Sequence, residues 1–111
     1  MSDFSIKQGD LRPALAAVLL LSDNSIVDLS GATVQFRMRL KGSTGAPKVD
    51  AAAVIIDANA GLVEYRWAGS DTDTIGSFCG EFRATLPGGL PQTHPNDGFL
   101  LIEVHADVPL P

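Results

Sequence analysis

Apolar and polar residues alternate along much of the chain, which is the period-two pattern of strands that bury one face. The clearest stretch is 32–41, whose alternate apolar residues are Val34, Phe36, Met38 and Leu40. The positions between them hold Gln35, Arg37, Arg39 and Lys41. The pattern predicts a strand with one face in the core and the other in water or against a partner.

Residues 61–86 alternate in the same way and predict two strands joined by a tight acidic corner. The only Tyr and the only Trp of the chain, Tyr65 and Trp67, lie in the first of these strands. Ser70, Asp71 and Asp73 lie between the strands and are residues that favour turns. We expect a core made of Val34, Phe36, Met38, Val63, Tyr65, Trp67, Phe78, Phe82, Ile102 and Val104.

Four further strands are predicted at 4–7, 14–21, 49–56 and 99–106. The alanines in 49–56 favour a helix, but the β-branched flanks and the short length favour a strand. Within the breaker-rich loop 87–98, only 90–93 would fit a short return strand. About seven antiparallel strands with regular turn signals predict an all-β, immunoglobulin-like β-sandwich; a small closed barrel is the alternative.

Residues 14–21 are apolar on both faces of the predicted strand. We therefore expect this strand to lie inside its sheet or beneath a partner subunit. The stretch also contains no charge that would blunt a sheet edge, and the mean hydropathy of the chain is +0.16. Together these features predict a homo-oligomer or a protein that is covered by a partner.

Length and charge exclude several classes of protein. The 111 residues suit a single domain spanning 1–111, and the net charge of −5 argues against binding to nucleic acid or to anionic membranes. The longest apolar run, 14–21, is far shorter than the ~20 residues that span a bilayer. One cysteine excludes an internal disulfide, and the N-terminus has no signal-peptide pattern, so we expect a chain that is made and kept in the cytoplasm.

Candidate catalytic chemistry is sparse. Ser70, His94 and Asp97 are the residue types of a hydrolytic triad, but no nucleophile-elbow pattern surrounds them. Cys79 shares a strand face with Glu81 and carries no sign of activation, so an apolar filler at an interface is the favoured reading. We therefore predict that the protein is not an enzyme and that it has no catalytic residues.

Candidate metal ligands are equally few. Asp71-Thr72-Asp73 with Asp97 or Asp57 has the oxygen ligands that calcium prefers, although turn aspartates that bond backbone amides are the favoured reading. His94 and His105 are far apart in sequence and have no third ligand nearby, so zinc is weakly supported. We predict no metal and no other cofactor.

Two surface features have a binding interpretation and a simpler one. Tyr65 and Trp67 could form an aromatic platform for a glycan, but their alternating positions favour the core. Arg37, Arg39 and Lys41 could dock an acidic neighbour, but a solvated outer face is the default.

Four segments of the chain have residue sequences that are more specific than their periodicity. They are FSIKQGDLRPAL, VDLSGATVQFRMR, AGLVEYRWAGSDTDTIGSFCGEF and THPNDGFLLIEV. In content and order they resemble the N-terminal domain family of phage baseplate upper proteins. Phe78 stands where that family often has Tyr, which removes one possible corner hydrogen bond, and His94 replaces the Phe of the family's TFP.

The resemblance implies an immunoglobulin-like structural protein of a phage or prophage particle, assembled in the host bacterial cytoplasm and bound to other virion structural proteins. In that family the domain anchors a longer chain with a receptor-binding arm. Because this sequence ends at position 111, we expect a free-standing module of the baseplate or tail, or of the neck or head. The alternative is a small module that binds a glycan or protein of the host surface.

Overall fold

The computed structural model describes residues 3–108, and this part of the chain is all-β without a helix. Nine strands are present: β1 (Phe4–Lys7), β2 (Leu15–Val18), β3 (Thr33–Leu40), β4 (Val49–Ala52), β5 (Val54–Asp57), β6 (Leu62–Tyr65), β7 (Gly76–Leu86), β8 (Leu90–His94) and β9 (Leu100–His105). The predicted all-β class is confirmed for the described residues.

The strands form a large sheet and a small one. The large sheet has the order β1-β9-β7-β3-β4, with β8 also paired to β7, and the small sheet has the order β2-β6-β5. Strand β1 runs parallel to β9, whereas the other pairs are antiparallel. Strands β9 and β8 follow one another along the same side of β7, first against its N-terminal half and then against its C-terminal half.

The core lies between the two sheets. The Phe36 ring of β3 stacks on the Tyr65 ring of β6 with centroids 4.7 Å apart, and the Trp67 ring meets Phe36 edge-on at 5.8 Å. All ten predicted core residues are buried. Gly80 permits this packing, because a Cβ there would lie 2.6 Å from Ile102 Cδ1 and 3.2 Å from the Phe36 ring.

The predicted strand at 49–56 proves to be two strands in different sheets. Ala53 separates β4 from β5, and its N–H donates to Val34 O at 2.9 Å. Strand β4 continues the large sheet beside β3, whereas β5 pairs with β6 in the small sheet. With the short return strand present as β8, the fold therefore has nine described strands instead of the predicted seven.

Of the two alternatives predicted for residues 14–21, a place inside a sheet is wrong, and cover by a partner subunit stays a prediction. Only Leu15–Val18 forms the regular strand β2, and β2 is an edge strand that pairs with β6 alone. Leu15 and Leu19 point into the core, whereas Val18 is 50% exposed. One face of this apolar stretch is therefore buried by the chain itself and the other is not.

Candidate functional site

The acidic corner, defined here as residues 68–74, joins β6 to β7 and is tied to the core by a tyrosine. The Tyr65 hydroxyl donates to Asp71 Oδ2 at 2.6 Å, and Ala68 N donates to the same oxygen at 2.9 Å. Burial, together with the hydrogen bond to Asp71, raises the pKa of Tyr65 above its ordinary value. Asp71 therefore caps the corner from inside instead of facing water.

The acidic corner also holds the turn that follows β1. Gly9 N donates to Thr72 O at 2.9 Å, and the buried Thr72 Oγ1 donates to Asp10 O at 2.8 Å. Gln8 Nε2 donates to Asp73 O at 2.8 Å. These bonds join two segments that are more than sixty positions apart in sequence, so the corner and the turn form one structural unit.

Asp73, the second aspartate of the corner, is engaged in an ion pair. Lys48 Nζ lies 2.5 Å from Asp73 Oδ1, and Thr74 Oγ1 donates to the same oxygen at 2.8 Å. The hydrogen bonds from Lys48 and Thr74 lower the pKa of the Asp73 carboxyl. The carboxylate oxygens of Asp71 and Asp73 thus have separate partners.

The other aspartates considered for calcium lie in different surroundings. Asp57 Oδ1 accepts a hydrogen bond from Ala60 N at 3.2 Å in the turn after β5. Asp97 lies in the loop between β8 and β9 and borders a groove. Within residues 3–108, no three His, Cys, Asp or Glu side chains gather where they could hold a metal ion.

His94 is the buried histidine of the fold, with 3% of its surface exposed. Its Nδ1 lies 3.1 Å from Leu20 O and its Nε2 lies 3.2 Å from the terminal amide of Gln92. A carbonyl oxygen only accepts, so Nδ1 is the donor to Leu20 O. Burial lowers the pKa of His94.

The structure does not connect Ser70 and Asp97 to His94 as a triad would require. Ser70 is exposed in the acidic corner, where its carbonyl accepts a bond from Asp73 N at 3.2 Å. Both ring nitrogens of His94 have other partners. His105, the second predicted zinc candidate, is exposed at the end of β9.

His94 forms part of the wall of an apolar groove with a volume of about 360 Å³. One wall is the edge of the small sheet along residues 17–21, and the other contains Phe82, His94 and Leu100 of the large sheet. Asn96 Nδ2 donates to Leu20 O at 2.8 Å and closes one end. The groove was not foreseen, because its walls come from segments far apart in sequence.

The outer face of the large sheet carries opposite charges on neighbouring strands. Arg37 faces Asp50 of β4 on one side and Glu81 of β7 on the other, and its Nε lies 3.4 Å from Asp50 Oδ1. That contact lacks hydrogen-bond alignment, and Arg37 Nε has no hydrogen-bond partner within residues 3–108. Arg37 thus belongs to a mixed array of charges and not to a purely cationic stripe.

A second cavity of about 500 Å³ lies on this outer face. Arg37, Arg39, Glu81 and the half-buried Cys79 are among its lining residues, and Phe99 borders it with 46% of its surface exposed. Cys79 lies opposite Arg39 in the sheet. The placement of Cys79 on an accessible face agrees with its predicted face but assigns it no partner.

The aromatic residues weighed as a glycan platform are in the core. Tyr65 and Trp67 are each only 4% exposed, so the prediction that they pack inside is confirmed. Phe4 contacts the Trp67 ring at 5.7 Å and is half-buried. Trp67 Nε1 has no hydrogen-bond partner within residues 3–108.

The outer face of the small sheet is apolar. Val18 of β2, and Val54 and Ile56 of β5, are 50%, 36% and 46% exposed. Leu62 of β6 lies opposite Val18 in the sheet. Glu64 on the same strand is the charged member of this face, and it pairs with Arg66 at 2.6 Å.

Comparisons with known proteins add no family. The chain matches no protein-family model and no curated protein. Separately, within residues 3–108 there is no helix long and apolar enough to cross a membrane. A function for this chain must therefore be argued from its fold and its surfaces.

Proposed function

We propose that the protein is a non-enzymatic structural protein of a phage or prophage particle, associated with the baseplate or tail, or with the head or neck. It acts through contacts with other virion proteins and with copies of itself, and it binds neither nucleic acid nor membrane. It is assembled in the bacterial cytoplasm. The observation that carries this proposal is the apolar outer face of the small sheet, where Val18, Val54 and Ile56 remain 36–50% exposed.

The surface argument is energetic. Apolar side chains cost free energy when they stay in water, and contiguous apolar patches on soluble domains mark interaction sites. The predicted oligomer and the predicted virion partners would both cover such a patch. An enzyme of this size would instead need reactive side chains that converge in a cleft. Both ring nitrogens of His94 are already within hydrogen-bond distance of other groups, in Leu20 and Gln92.

We also infer that the fold is an immunoglobulin-like β-sandwich. The order β1-β9-β7-β3-β4 opposite β2-β6-β5 divides the strands as that fold does, if β8 and β9 count as one interrupted final strand. A hydrogen-bonded tyrosine at the corner between sheets is a further feature of such sandwiches. In this chain the hydrogen-bonded tyrosine is Tyr65 at the end of β6, before the corner, and its partner is the Asp71 carboxylate instead of the backbone.

The segments that resemble phage baseplate upper proteins have structural roles in this fold. Gln8, Gly9 and Asp10 of the IKQGD segment bond to the acidic corner, and Tyr65 of the EYRW segment caps it through Asp71. Motif residues that brace a turn fit a structural module better than a reactive site. This placement supports the proposed class.

A binding module for a host-surface glycan or protein is the second candidate. It is favoured by the exposed Phe99 beside the cavity that Arg37 and Glu81 line, because large aromatic side chains dominate the energetics of binding interfaces. A single exposed ring is a small platform, so this candidate ranks below the structural one.

Purified particles test the proposal. Particles are banded on a density gradient from a host that produces a tagged copy of the chain, and the copy number is measured by quantitative mass spectrometry. We expect the chain at a fixed number per particle, and we expect particles made without it to take up purified protein. Recovery only as free protein, with binding to host cells, would favour the second candidate.

A further inference from the structure

Within residues 3–108 the two sheets expose five strand edges that could accept another strand, and only one of these lacks protection. The edges are β1, β4 and β8 in the large sheet and β2 and β5 in the small sheet. Natural edges are blunted by charges or proline. Lys7, Asp50, Asp57 and Pro91 provide that protection in β1, β4, β5 and β8. Strand β2, with the sequence LAAV, has neither.

The backbone groups that β2 presents at its open edge follow from its pairing with β6. Leu19 N donates to Gly61 O at 2.8 Å, so the odd-numbered residues of this segment bond towards β6. Ala16 and Val18 therefore turn their N–H and C=O groups away from β6. Within residues 3–108 neither residue has another backbone partner. Both side chains are exposed.

The accessible edge is short and has a defined end. Leu20 O accepts a bond from His94 Nδ1 at 3.1 Å and one from Asn96 Nδ2 at 2.8 Å, so the edge is capped there by the end of β8 and the loop that follows it. Beside the open part lies the apolar groove, which Ala17 lines. A partner strand therefore has room at Ala16 to Val18 and not beyond Leu20.

We infer that β2 pairs with β2 of a second copy, antiparallel about a twofold axis that passes through Ala17. In that register Ala16 faces Val18 of the second copy, and each of these residues donates and accepts one backbone hydrogen bond. The two small sheets become one continuous sheet. This inference deepens the proposed assembly role and rests on it.

An unprotected sheet edge pairs most readily with another unprotected edge, and a second copy of the chain supplies one. Each chain carries a net charge of −5, so two copies repel at most approaches. Residues 14–21 form an uncharged strip where that repulsion is smallest. A twofold axis makes the strip self-complementary, because every donor at the edge meets the matching acceptor of an identical strand.

Two pairs of variants with light scattering test the interface. Ala16→Pro removes the outward N–H donor without touching the ladder to β6, and we expect the dimer mass to fall to that of the monomer. Ala52→Pro is the matched control, because Ala53 N bonds to Val34 and Ala52 therefore faces the outer edge of β4. Val18→Lys should also give a monomer, while Val54→Lys, on the opposite edge of the same sheet, should stay dimeric.

A cysteine crosslink tests the register itself. Across a non-hydrogen-bonded antiparallel pair the Cα atoms lie about 4.5 Å apart, within the roughly 4.4–6.8 Å that a disulfide spans. Ala17→Cys in a Cys79→Ala background should therefore form a covalent dimer when both thiols are oxidised by oxidised glutathione. Ala52→Cys in the same background should remain a monomer on a non-reducing gel.

The outcomes separate this inference from the proposed function. A wild-type protein that is monomeric at every soluble concentration, or a dimer that survives Ala16→Pro and Val18→Lys in folded protein, overturns β2 pairing. Circular dichroism establishes that each variant is folded. Particle association of the chain is measured independently, so the structural role stands or falls on the gradient experiment and not on this interface.

Discussion

Tyr65→Phe removes one oxygen atom and tests whether the hydroxyl of this buried side chain stabilises the acidic corner. Tyr65→Phe keeps the ring that stacks on Phe36 at 4.7 Å and loses only the hydroxyl that donates to Asp71 at 2.6 Å. Hydrogen bonds to charged groups contribute about 1.5–3 kcal/mol, so we expect the free energy of unfolding to fall by about 2 kcal/mol. With an unfolding entropy of about 0.23 kcal/mol/K for 111 residues, Tm should drop by about 9 °C.

Calorimetry and urea unfolding measure this loss, and a double-mutant cycle assigns it. Asp71→Ala removes both bonds to Asp71 Oδ2, but the lost bond from Ala68 N is common to both arms of the cycle, so the coupling between Tyr65→Phe and Asp71→Ala isolates the bond to the phenol. Thr74→Ala in the exposed part of the same corner is the control and should change stability by less than about 0.5 kcal/mol. A Tyr65→Phe protein that melts within a degree or two of the parent would refute the reasoning.

The same bond predicts a response to alkaline pH. The pKa of Tyr65 is raised above its ordinary value of 10.0, so the folded protein holds the phenol proton more tightly than the unfolded chain. The contribution is therefore complete below about pH 10 and is lost as the pH rises further. The stability gap between wild type and Tyr65→Phe should narrow above that pH, and a gap that stays constant would contradict the assignment.

The remaining predictions concern the buried histidine, the core and metals. Burial lowers the pKa of His94 below its ordinary value of 6.5, so the contribution of the neutral ring to the free energy of unfolding should be fully present above about pH 6.5 and be lost as the pH falls. His94→Gln should reduce this pH dependence, whereas His105→Gln, the exposed control, should leave it unchanged. Phe82→Ala, at a site 1% exposed, should cost about 3–5 kcal/mol in urea unfolding, and a loss below about 1 kcal/mol would contradict the packing described. A chelator should leave Tm unchanged, and a fall that calcium reverses would contradict the assignment of Asp71 and Asp73 to turn chemistry.

Periodicity predicted the strands well where one face is buried. In β3 the apolar residues Val34, Phe36 and Met38 are all buried, as their spacing requires, while Leu40 at the end of the strand is 47% exposed. Spacing reports which side of a strand is apolar. It does not report how far along the strand the opposing sheet extends, so Leu40, the last apolar residue of the alternating run, is exposed although its spacing predicts burial.

Pairing partners were beyond the reach of the sequence. Strand β1 pairs in parallel with β9, which comes from the opposite end of the chain. The sequence of β1, FSIK, contains no feature that predicts this partner. The break at Ala53 has the same origin. The run VDAAAVII looks continuous in sequence. However, β4 pairs with β3 in the large sheet and β5 pairs with β6 in the small sheet, so the chain must pass from one sheet to the other in the middle of the run.

The corner shows a different limit. Composition predicts turn aspartates that bond backbone amides, and Asp71 does so by accepting Ala68 N, whereas the Asp73 carboxyl bonds to Lys48 and Thr74 instead. The role of Tyr65 was missed because its ring was assigned to the core, which is correct, and the core assignment says nothing about the hydroxyl. A buried tyrosine needs a partner for its oxygen, and an acidic turn within six residues is the sequence signal that would have identified it.

The two-sided apolar stretch is where sequence and fold together say more than either alone. The sequence required cover on both faces of residues 14–21, and the chain covers only one, through Leu15 and Leu19. The strand that carries this uncovered face, β2, is also the one whose open edge lacks charge and proline, although the chain protects its other edges. Selection against aggregation would remove such an edge from a protein that works alone. The proposed pairing of β2 with a second copy therefore rests on this unprotected edge.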